Sequence, residues 1–149
     1  MGTRHDHIRA LEKKCLAVTF LGLAATLLFF GAIWERINPG AGFPFLEHGA
    51  TIGFFFYLYP GFILPLSCIV VAIFRPRNEV HAFALAFSVS GGMLLPLPIW
   101  VQLLEPQPFG ELLGHFVTMF SFMLLTGFLI AFFTFCLQAI LRRKSPTSL

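Results

Sequence analysis

Long apolar runs, set apart by short polar connections, dominate this chain. Residues 15–34, 50–74, 80–104 and 112–141 contain no Asp, Glu, Lys or Arg. About 20 apolar residues, rising about 1.5 Å each as a helix, cross a hydrocarbon layer of about 30 Å. Each run meets that length, so the pattern predicts an all-α integral membrane protein of four transmembrane helices. The connections 75–79 and 105–111 are too short to join anything but antiparallel neighbours, which implies an up-down bundle. A single domain over 1–149 is expected, with polar tails at 1–14 and 142–149. The first run is longer than the roughly 7–15 residues of a signal-peptide core, and Trp34-Glu35-Arg36 is no small-residue cleavage site, so it is expected to stay attached.

The two middle runs are interrupted. Pro60, Pro65, Pro96 and Pro98 each lack an N–H and crowd the preceding turn, so kinks are expected. Ser88, Gly91 and Gly92 add small residues at a spacing that lets another backbone come close. Irregular backbone of this kind is tolerated where it faces protein or a wet cavity. It fits kinked packing helices, and it also fits a gated pathway. The tripeptide Leu-Pro-Leu occurs at 64–66 and 95–97, but nothing around it matches, so no internal repeat is read from it.

Charge gives the runs a direction. Arg4, Arg9, Lys13 and Lys14 precede the first, Arg75 and Arg77 separate the second and third, and Arg142, Arg143 and Lys144 follow the fourth. Only Arg36 lies on the other side. Short loops follow the positive-inside rule, so both termini are expected in the cytoplasm. Lys13, Lys14, Arg75, Arg77, Arg142, Arg143 and Lys144 then form a basic inner rim suited to anionic lipid headgroups. The outer side carries Glu35, Glu47, Glu105 and Glu111, and Trp34 and Trp100 fall near the outer ends of their runs, where interfacial aromatics anchor. The expected location is a bacterial inner (plasma) membrane, crossed several times.

Composition agrees with this solvent: 57% of residues are hydrophobic, 11% are charged, and 20 are Phe, a ring without a polar handle to satisfy. Cys15, Cys68 and Cys136 form no C-x-x-C and read as small apolar fillers rather than a disulfide framework. Ten basic residues placed at membrane rims do not make a nucleic-acid surface. No nucleophile, base and carboxylate fall into a catalytic pattern, and no glycine-rich phosphate loop exists.

The one titratable constellation lies at the outer side. Glu111 and His115 are four apart and share a helix face, and the 15-residue loop 35–49 ends in Glu47-His48 at the same depth. Carboxylates with imidazoles suit Zn, Mn or Fe, and two imidazoles on facing helices could ligate a haem. No spacing such as H-E-x-x-H selects either, so no cofactor is assigned and the cluster reads first as a polar anchor of loop against helix. On the inner side Glu79, just after Arg75 and Arg77, reads as helix-terminal charge beside His81. Three functions fit these residues. The leading one is an accessory subunit or oligomeric scaffold that works by association with other membrane subunits or with itself. The second is an oligomeric transporter or channel for a small or lipophilic solute. The third is a metal- or haem-binding redox protein using Glu47, His48, Glu111 and His115.

Overall fold

The computed structural model describes residues 3–29, 36, 54–104, 106 and 108–144, and among them every regular element is helical. Helix α1, Thr3–Leu28, starts in the charged N-terminal segment and carries on without a break into the apolar run. A π-helical segment, Phe54–Ile63, leads directly into α2, Leu64–Phe74. A four-residue turn then gives α3, Glu79–Leu94, followed after Leu95 by α4, Pro96–Leu104, and finally by α5, Phe109–Lys144.

Prolines explain the irregular stretches. Pro60 sits inside the π-helical segment, where the wider turn accommodates a residue that cannot donate. Pro65 falls in the first turn of α2, directly after the π-helical segment, and cannot donate to a carbonyl of the preceding turn. Pro96 and Pro98 leave the Gly92 and Leu94 carbonyls without their i+4 donors, and the helical path breaks at Leu95. The Leu95 N–H still reaches the Gly91 carbonyl at 3.0 Å, so α3 and α4 stay nearly continuous.

At the other end of α3, Asn78 is in an extended conformation and its side-chain oxygen accepts the His81 N–H at 2.9 Å. This bond is the N-cap, and Glu79 adds a favourable first-turn charge beside it. The preceding turn is closed by Arg75, whose N–H bonds the Val71 and Ala72 carbonyls while its φ is 46°. That left-handed conformation usually belongs to glycine at a helix end.

Helix α3 is the hub. Its buried residues run from Ala82 through Leu85, Ala86 and Val89 to Met93 and Leu94, and α1, α2 and α5 all pack on it. Helix α1 runs parallel to α3, since Thr19 meets Ser88 and Thr26 meets Met93. Helix α5 runs antiparallel to it, since Phe128 meets Phe83 and Phe120 meets Phe87.

Small residues set the α1–α3 distance. A Cβ added at Gly92 would strike the Thr19 carbonyl, and one added at Gly22 would strike the Val89 carbonyl. Backbone therefore touches backbone, which only glycine permits. The α3–α5 seam uses rings instead: Phe83 and Phe128 pack edge to face at 5.0 Å, Phe87 and Phe120 at 5.7 Å.

Two helices among the described residues, Glu79–Ile99 and Phe109–Ile140, are long and apolar enough to cross a membrane. Tyr59–Phe74 is apolar but shorter. At 36 residues α5 extends for about 54 Å, well beyond a hydrocarbon core of about 30 Å.

Candidate functional site

Four places stand out: Glu111 and His115 at the start of α5, the broken stretch of α3 and α4, the exposed face of α5, and the basic end of the bundle.

Glu111 is exposed in the first turn of α5, and His115 is half-buried one turn later. They share a helix face, and no hydrogen bond or ion pair joins their side chains. The Glu111 N–H bonds the Pro108 carbonyl at 3.0 Å, a helix-start bond that fixes where the pair begins. Glu47 and His48 lie outside the described residues, as does most of the loop 35–49. Among the described residues no three His, Cys, Asp or Glu side chains come together as metal ligands. The three cysteines are free; Cys68 is exposed, and Cys15 and Cys136 are half-buried.

At the break, Gly91, Gly92 and Pro98 are buried, Pro96 is half-buried, and Ser88 offers its carbonyl to α1. Pro60 and Pro65 are exposed in their own segment. Beside the break runs a groove of about 430 Å³ between α1 and the α3–α4 junction, with Thr19, Leu23, Gly92, Pro96, Ile99 and Leu103 among its walls. Its walls are almost wholly apolar, so it suits a hydrocarbon chain or an apolar side chain better than an ion.

Polar groups that the sequence pattern left aside hold this region together. The Thr26 hydroxyl donates to the Met93 carbonyl at 3.1 Å and is buried. The Thr19 hydroxyl donates to the carbonyl of Cys15 in its own helix at 2.8 Å and faces that of Ser88 across the seam at 3.2 Å. Thr19, Gly22 and Thr26 lie three and four apart, one face of α1, so the signal was present as a spacing of small and hydroxyl residues. On the far side of α3, Tyr59 and Thr126 hydroxyls lie 2.7 Å apart, both buried. Ser67, Ser121, Thr126 and Thr134 bond the carbonyls of Ile63, Val117, Phe122 and Ile130 one turn back, the usual way a hydroxyl is satisfied away from water.

Among the described residues, helix α5 is covered on one side only. In its most apolar 18 residues 22% are buried, against 61% in the corresponding stretch of Glu79–Ile99. Val117, Phe120, Leu125, Phe128, Phe132 and Phe133 all stand exposed.

At the basic end, Lys13 and Lys14 are exposed on α1, Arg75 and Arg77 are exposed in the turn between α2 and α3, and Arg142, Arg143 and Lys144 close the last turn of α5. Lys14, Arg75, Arg77 and His81 converge on one recess of about 110 Å³, which Leu11 and Phe74 help to wall. His81 is its one member the charge pattern did not suggest, because sequence alone does not show that the first turn of α3 faces α1.

No protein-family model, curated protein or solved structure matches this chain.

Proposed function

We propose that this chain is a membrane protein of four spans, with both ends in the cytoplasm, that acts by association as an accessory subunit or self-associating scaffold of a membrane complex. Helix α5 carries the reading. A 32-residue helical stretch of high mean hydropathy, with Phe132 and Phe133 at 61 and 65% exposure, needs a solvent other than water. Lipid covers such a surface, and so does another helix. In a bilayer the choice turns on packing, and a Phe-rich face with Ser121 beside it offers both ring surface and a small polar contact. The buried Thr26–Met93 and Tyr59–Thr126 bonds support the same solvent, since hydroxyl-to-helix bonds hold membrane bundles together. Nine of ten basic residues fall at one end of the proposed spans, which supports cytoplasmic tails.

The test is purification from carbonate-washed membranes in a mild detergent, followed by mass measurement of the intact species. A stable oligomer or a stoichiometric membrane partner is expected. Recovery as a solitary monomer would refute the association reading.

The groove beside Leu95 favours a second reading, an oligomeric pathway for a lipophilic solute. A cluster this small encloses little space, so this version requires a dimer or larger assembly. Flux of a lipophilic dye into proteoliposomes is then expected to fall when Pro65→Ala and Pro96→Ala are combined, and undiminished flux would remove the kinks from the mechanism.

A further inference from the structure

We propose that the recess formed by Lys14, Arg75, Arg77 and His81 is a specific site for the phosphate of an anionic phospholipid, a built pocket within the basic rim rather than a share of its diffuse charge. The inference rests on the membrane reading above and adds a ligand to it.

Its members come from separate elements. Lys14 lies on α1, Arg75 and Arg77 lie in the turn after α2, and His81 lies in the first turn of α3. Three cationic residues thus border one space of about 110 Å³, and among the described residues no carboxylate lines it. A phosphodiester complements the charge of Lys14 and Arg75 at a size the recess accepts. The walls are apolar where they approach the helices, through Leu11 and Phe74. This mixture fits a headgroup with its glycerol and the first carbons of its chains, and it fits a free phosphate less well. The recess also lies at the end of the apolar helix Tyr59–Phe74, where a proposed span gives way to the turn. Exposed Ile69 and Ile73 on that helix, and Leu16 and Phe20 on α1, offer surface to acyl chains on the flanking helices.

Arg75 adds an independent observation. Its φ of 46° belongs to a conformation where glycine costs nothing and a Cβ costs about 1 kcal/mol. An arginine held there points to a role for its side chain beyond ending the helix.

The experiment reconstitutes the full chain in nanodiscs of equal phosphatidylglycerol and phosphatidylcholine, extracts it in mild detergent and counts retained lipids by native mass spectrometry. The pocket variant combines Lys14→Gln with Arg75→Gly. The second change removes the cation while easing the backbone, so the variant is expected to keep its helix content. The control is Arg9→Gln, an exposed residue of the same helix end that does not line the recess, and Arg75→Gly alone is its charge-matched counterpart at the pocket. Retained phosphatidylglycerol is expected to drop about tenfold or more in the pocket variant and by less than about twofold in the control. Equal losses from Arg9→Gln and from Arg75→Gly alone would overturn the site in favour of diffuse attraction. Phosphatidylcholine retained as well as phosphatidylglycerol would overturn it too, as would displacement by inorganic phosphate at concentrations comparable with the lipid. A chain released from membranes by carbonate would sink the membrane reading itself, whereas a firmly inserted chain that keeps no phosphatidylglycerol sinks the site alone.

Discussion

The Tyr59 hydroxyl donates its hydrogen to the Thr126 oxygen. The two oxygens are 2.7 Å apart, and the single hydrogen of Thr126 is directed to the Phe122 carbonyl at 2.8 Å, so the phenol is the donor between them. This chain of two bonds, with the Tyr59 ring 4.8 Å from that of Phe122, pins the segment before α2 to the middle of α5.

Replacing Thr126 strands the phenol, whereas replacing Tyr59 leaves Thr126 bonded to its own helix. Thr126→Val keeps the shape but leaves a buried phenol without a partner, at a cost of about 1–3 kcal/mol, while Tyr59→Phe loses the bond alone, about 1 kcal/mol. The double variant is therefore expected to be less destabilised than the sum of the single ones. Reversible unfolding in SDS, followed by helical circular dichroism, measures the cycle, and strict additivity would mean that the two hydroxyls do not interact.

Close approach at Gly92 makes a second prediction. Gly92→Ala places a methyl group against the Thr19 carbonyl, which is backbone and cannot swing aside, so a loss of about 1–3 kcal/mol is expected. Gly114→Ala, with open space around its added carbon, is expected to be neutral or slightly stabilising in the same titration. Equal effects at both positions would contradict the described α1–α3 seam.

Much of this arrangement was legible in the chain. The pair Gly91-Gly92, read with Ser88, announced a tight helix contact because glycine in an apolar helix has few other uses. Prolines at 96 and 98 announced the break at Leu95. The partner of that contact was not legible. Thr19 and Gly22 lie about 70 residues upstream, and a single sequence holds no signal for which of several apolar helices meets which. The Tyr59–Thr126 bond was hidden for the same reason, since each hydroxyl taken singly looks satisfied by its own helix. Asn78 as the cap could have been read from its place directly before Glu79. Of the outer cluster, Glu111 and His115 stand as the spacing implied, one turn apart, and their proposed companions Glu47 and His48 lie outside the described residues.

The exposed rings of α5 yield a third prediction. Phe132→Ala with Phe133→Ala removes ring surface that nothing else in the described chain covers deeply, so the monomer is expected to keep its helix content and its unfolding midpoint. Association is expected to weaken about tenfold or more, the scale of losing a central aromatic contact. Energy transfer between differently labelled copies, or pull-down of the partner, reads the difference. An unchanged oligomer would move the interface elsewhere.

Direction in the membrane makes a fourth prediction. On the proposed four spans, reporter fusions before Thr3 and after Lys144 are both expected to score as cytoplasmic, because nine of the ten basic residues would then share the side of the tails. Tails on opposite sides would mean an odd number of crossings.

The central position of α3 has a bearing on how the chain is made. Its two broad faces are covered by α1, synthesised long before it, and by α5, synthesised after it. On leaving the ribosome α3 can dock at once on the waiting α1, but its Phe83 and Phe87 side stays bare until the last forty or so residues emerge. A nascent chain stalled before Phe109 would thus hold a half-clothed α3, with an apolar flank that only the last helix can cover.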